Sequence, residues 1–195
     1  MAARDIMPWI SPLGGTYEVR WGTMTASEVF EAGEPVMVVA AGTLTEPPDD
    51  ATQFVVTDIT SDTAAGMTCG IAAYGPGAGN IDPATGAAFA TGADIPFWPF
   101  GQGTLFKTSN LFAAGAGSAV TPVQSDVGEA YQMVYSTTAG IIGWGLERTA
   151  ALTGIDVMCV VREVLDANNA PLRISGGTGT QVVFNVLQPT LAENN

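Results

Sequence analysis

"EAYQMVYSTTAGIIGWGLERT" (residues 129–149) decides how the rest of the chain is read. Tyr131, Met133 and Tyr135 alternate along one face, a Thr-Thr-Ala-Gly segment supplies a turn, and Ile141, Ile142 and Trp144 carry the chain back. A period of two around a turn predicts a β-hairpin. Downstream, "GIDVMCVVREVLDANNAPLRISGGTGTQVVFNVLQP" (154–189) predicts another long strand, an Asp-Ala-Asn-Asn turn and a last strand from Val182 to Val186. Upstream, the apolar run 36–40 follows a turn at Gly33 to Pro35 and precedes an exposed "EPPDD" loop, so it reads as a strand buried on both faces. "QFVVTDI" (53–59), "MTCGIAAYG" (67–75) and Phe106 with Lys107 add further strands. "TYEVRWGTMT" (16–25) alternates Tyr17, Val19 and Trp21 against Glu18, Arg20 and Gly22, the pattern of a half-buried strand with the aromatics as its apolar face.

With 195 residues and 47% hydrophobic content, the chain can bury one substantial core. Its 24 glycines and 12 prolines leave little room for long helices. The expected fold is mainly β, a compact β-barrel or β-sandwich with an extended N-terminal arm and long Gly/Ala/Pro-rich loops. The expected division is an arm over 1–16, a β-rich domain over 17–190 with an inserted loop subregion at 75–103, and a polar tail at 191–195. Pro8 and Pro12 keep the arm out of helix, and its apolar residues have no periodic partner. The arm therefore reads as a segment that lies on another surface, through Pro8, Trp9, Ile10, Pro12 and Leu13, and whose removal leaves the β domain folded. In "DIPFWPF" (94–100) two prolines flank Trp98 and predict an edge or a loop. Phe97, Trp98, Pro99 and Phe100 are thus either a plug at one end of a barrel or a protein-protein interface.

Charge and chemistry narrow the function. Nineteen acidic residues against six basic ones give a net charge of -13, and the cations are scattered singly. Such a chain repels phosphate backbones, which excludes nucleic acid as a partner. No apolar stretch has the length of a membrane span, and the first fifteen residues lack the charged and greasy regions of an export signal. There is no histidine, which removes the usual base for Ser or Cys nucleophiles and the commonest metal ligand. "GPGAGN" and "GGTGTQ" complete no phosphate-loop pattern. Glu147, Asp156 and Glu163 lie on neighbouring predicted strands, the one arrangement through which carboxylate-pair glycoside chemistry could enter. Lys107 reads as a solvated or edge-protecting charge, and Cys69 and Cys159, each in an apolar stretch, as buried free thiols. No enzyme activity, cofactor or metal is expected.

The segments "VFEAGEPVMVV", "DITSDTAAGMTCGIAAYG", "FGQGTLFKTSNL", "SDVGEAYQM" and "VLDANNAPLRI" together resemble bacteriophage head decoration (capsid cement) proteins of the tailed-phage type. That resemblance implies a small acidic β protein without catalysis, made in the host cytoplasm and bound to the outer capsid surface of the virion. It implies the major capsid protein as partner, stabilisation of contacts between capsomers, and a homo-oligomer, with a trimer favoured over a dimer. Another virion component, such as a head fibre or tail part, and a carbohydrate-active β-domain are the alternative expectations.

Overall fold

The computed structural model describes residues 6–9, 17–24, 32–38, 43–45, 69–74, 85–90, 92–100, 104–138, 142–148, 158–173 and 176–187. The protein is mainly β. Its strands are β1 (Met7–Trp9), β2 (Arg20–Met24), β3 (Pro35–Val38), β4 (Thr43–Thr45), β5 (Cys69–Ala72), β6 (Asp94–Pro99), β7 (Leu105–Thr108), β8 (Leu111–Phe112), β9 (Ala130–Ser136), β10 (Gly143–Glu147), β11 (Met158–Leu165) and β12 (Gln181–Leu187). Two short 3-10 turns, Ala114–Ala116 and Gln124–Asp126, interrupt the second half. β2, β4, β3, β5 and β6 close a barrel, and the other strands form a seven-stranded sheet in the order β1-β7-β12-β11-β9-β10-β8.

β9 and β10 pair antiparallel as the alternation predicts, with Ser136 opposite Gly143 and Tyr135 opposite Trp144. The two rings meet at 5.5 Å, a cross-strand aromatic pair that fixes the register. Tyr131 and Met133 enter a large core, while Val134 on the opposite face packs with Phe112. Strand β12 pairs with β11 through a bulge between Val161 and Glu163.

In the apolar run, Val36 and Met37 fill two different interiors. Val36 points into the barrel, with Met24, Leu44, Ala72, Ile95 and Phe97. Its neighbour Met37 points the other way, into the core shared with the sheet, beside Ile71, Trp98, Phe106 and Phe184. Ile71 and Ala72 split in the same manner, as do Phe97 and Trp98. Successive side chains leave a strand on opposite faces, so a strand with protein on both sides is apolar at every position. Barrel and sheet therefore meet through one core rather than as two beads.

Three expectations are corrected. In β2 the phase is reversed: Tyr17, Val19 and Trp21 are exposed, and Gly22 and Met24 are the buried positions. A Cβ on Gly22 would sit 2.7 Å from Leu44 Cγ, so at this position the narrow barrel admits only glycine and the aromatics must stand outside. In β6, Pro96 and Pro99 lie in a barrel strand and not in an edge or loop, inside the stretch 75–103 expected as a loop. The reason is a staggered ladder: Asp94 to Phe97 pair with β2, whereas Phe97 to Pro99 pair with β5. Each proline thus has a ladder partner on one side only, and its missing N–H is not required on the other. Finally, part of the expected arm belongs to the sheet, since Met7–Trp9 pairs antiparallel with β7.

Candidate functional site

The residues expected to contact a partner divide into three groups. Phe97, Trp98 and Phe100 are 2%, 6% and 3% exposed, and Pro99 is buried beside them. Phe100 stands edge-on to Phe106 at 5.7 Å, in the core between barrel and sheet. The cluster is an internal plug, which overturns its reading as an interface. Pro8 and Trp9 are half-buried in β1, and Ile10, Pro12 and Leu13 lie outside the described residues. Trp9 packs beneath Lys107, whose Nζ lies 4.9 Å from the ring centroid. Lys107 therefore does not guard an edge: β7 runs between β1 and β12. Ahead of β1, Ile6 is fully buried in the shared core, and its N–H donates to Gly33 O at 3.2 Å.

Of the three carboxylates, the two that can be placed, Glu147 and Glu163, do not come together as a glycosidase pair. Glu147 is opposite Gln132, which is opposite Met158, whereas Glu163 is five residues further along β11. That offset is on the order of 15 Å, well beyond the separation two cooperating carboxylates need. Asp156 lies outside the described residues, as does the side chain of Cys69; Cys159 is buried with a free thiol, and burial pushes its pKa up. Among the described residues no three His, Cys, Asp or Glu side chains gather as a metal site, and no helix is long and apolar enough to cross a membrane.

What stands out on the surface is the segment the sequence reading had turned inward. Tyr17, Val19 and Trp21 are 38%, 44% and 59% exposed, on alternate positions leading into and along β2. The Tyr17 ring is edge-on to Trp98 at 6.1 Å, so the stripe continues the apolar outer wall of the barrel past the point where the sheet covers it. Its flanks are polar: Glu18 and Arg20 form an exposed ion pair at 2.6 Å, and Thr23 Oγ1 donates to Asp94 Oδ1 at 2.7 Å. An aromatic stripe with a polar rim on a closed barrel is the composition of a binding face. The missed signal was Gly22, which shares a parity with Met24 and marks the side where the backbone must approach another element closely.

Four of the six cations are committed within the chain. Arg20 pairs with Glu18, Arg148 with Asp126, Lys107 donates to Asn169, and Arg162 donates to Asn185. With a net charge of -13, the exterior is left strongly acidic. Comparisons with protein-family models, curated proteins and solved structures gave no match.

Proposed function

We propose that this chain is a non-enzymatic structural protein that decorates the outer surface of an assembled icosahedral phage head, with the major capsid protein as its partner. The observation that carries the reading is the exposed stripe Tyr17, Val19 and Trp21. Tyr and Trp supply much of the energy of protein interfaces because they bury large area at small entropic cost. The closed barrel holds Trp21 in a ladder strand, so little ordering of that residue has to accompany docking. The acidic exterior favours a partner that presents cations around the contact, and disfavours a like-charged second copy at this face. The resemblance of five sequence segments to head decoration proteins supplies the shell as that partner. Assembly as a trimer, with a dimer as the alternative, belongs to the same reading, since several weak contacts per particle add through multivalency.

The test is co-sedimentation with capsids. Trp21→Ala should weaken attachment by roughly thirtyfold, about 2 kcal/mol, and Tyr17→Ala with Trp21→Ala should abolish full occupancy. Full decoration by the double variant at the same salt and temperature would overturn the stripe as the anchor. Absence of wild-type chain from the capsid fraction would overturn the capsid itself.

A further inference from the structure

Strand β2 is flanked on both sides at one end and on one side at the other. Among the described residues β4 lies beside β2 only at Thr23 and Met24, whereas β6 runs along β2 from Arg20 to Thr23. Upstream of Thr23, one side of β2 thus has no strand among the described residues.

The hydrogen bonds around β6 show which backbone groups face that open side. In an antiparallel ladder, opposite residues alternate between pairs that exchange both backbone bonds and pairs whose N–H and C=O point outward. Pro96 is opposite Trp21, has no N–H, and its C=O accepts from Ala73 N at 2.9 Å, on the β5 side. Met24 N–H donates to Ala93 O at 3.0 Å, on the β6 side. Both bonds fix the same phase: Gly22 and Met24 turn their backbone groups to β6, while Trp21 and Thr23 turn theirs away. Those of Thr23 meet β4. Those of Trp21 meet no partner among the described residues, and the residue is 59% exposed. Trp21 therefore offers its ring and its backbone together, and an outward N–H and C=O on a strand edge suit another extended backbone.

We propose that an extended segment of the capsid partner adds to this edge as a further strand, beside residues 17–22 and in line with β4. The inference rests on the capsid reading and specifies the chemistry of the partner. Backbone bonds to Trp21 hold the segment, and apolar side chains at its alternate positions pack beside Tyr17, Val19 and Trp21. Lys or Arg residues around them answer the net charge of -13, which disfavours a second copy of this chain in the same place.

Hydrogen exchange resolved to single amides tests it, on the full chain free and bound to capsids. In the free chain the Trp21 amide should exchange at least roughly a hundredfold faster than those of Gly22 and Met24, and on capsids it should slow to their range. Slow exchange at Trp21 in the dilute free chain would overturn the open edge. Attachment that leaves the Trp21 amide fast would overturn strand addition and leave the aromatic stripe as the anchor. Absence of the chain from the capsid fraction would overturn the capsid reading and this one with it, and slowing that follows chain concentration without capsids would put a second copy in the segment's place. A backbone ester at Trp21, which keeps the indole and deletes only the N–H, should weaken attachment by roughly three- to tenfold with the melting temperature unchanged. The same ester at Gly22 should lower the melting temperature, because that N–H belongs to the β6 ladder. Full attachment of the Trp21 ester would overturn the backbone bond.

Discussion

Asp126 receives hydrogens from three directions. The N–H of Val123 donates at 2.8 Å, the Tyr131 hydroxyl at 2.5 Å and Arg148 Nη2 at 2.6 Å, around a side chain only 4% exposed. Taking away the carboxylate strands a phenol and a guanidinium, so Asp126→Ala should cost about 3–5 kcal/mol in denaturant melts. Burial, reinforced by the Asp126 carboxylate, pushes the Tyr131 phenol up to about 12 from 10.0, against the opposing pull of Arg148. A raised folded pKa contributes stability that is complete below the unfolded value and fades as pH climbs through the folded one. Stability should therefore fall between about pH 10 and 12, and Tyr131→Phe should flatten that slope. Cys159 adds a loss of the same sign from its unperturbed value of 9.0 upward, which is why the comparison with Tyr131→Phe, not the wild-type curve alone, isolates the phenol. Gly22→Ala should cost roughly 1–3 kcal/mol, because the added methyl meets Leu44 inside a closed barrel.

At the level of strands, β2 and β6 carry two tryptophans with opposite duties. Trp98→Ala should lower stability by about 3–5 kcal/mol through the cavity it leaves, whereas Trp21→Ala should stay within about 0.5 kcal/mol of wild type. Thermal melts of the two variants check this directly, and similar losses in both would contradict the assigned orientation of β2. β1 alters one expectation from sequence. Since Ile6 is fully buried in the shared core, deleting residues 1–9 should cost stability by several kcal/mol and not merely detach a leader. The strands themselves were legible wherever alternation or a β-branched run was strong, as in β9 to β12. The phase of β2 was not, because five residues of alternating chemistry look alike whichever face is buried, and Leu44, which decides it, lies on a strand remote in sequence. β6 was misread because proline's penalty depends on which neighbours need its N–H, and the stagger of two ladders is a property of the assembled barrel.

Across the whole molecule, barrel and sheet share the core that holds Met37, Ile71 and Trp98 from one side and Phe106, Met133 and Phe184 from the other. Neither side buries those residues alone. Unfolding should accordingly be one cooperative transition, with tryptophan fluorescence and far-ultraviolet dichroism giving coincident midpoints. Two separated transitions would mean that the halves are independent units. The mainly β class was readable from composition and period, but the division into a closed barrel plus an open sheet was not, since closure depends on β6 returning to β2. The candidate face was hidden for a related reason: an exposed tryptophan and a buried one have the same letter, and only the order in which strands surround them tells the two apart.

The pairing of Met7 with Lys107 also sets a timetable for synthesis. At about 5–20 residues per second, the ribosome adds every strand of the barrel before it adds β7. β1 thus waits longer for its ladder partner than any strand of the barrel waits for its own. Until β7 arrives, the nascent chain shows Trp9, which lies beneath Lys107 in the finished fold, to whatever chaperone stands at the tunnel exit.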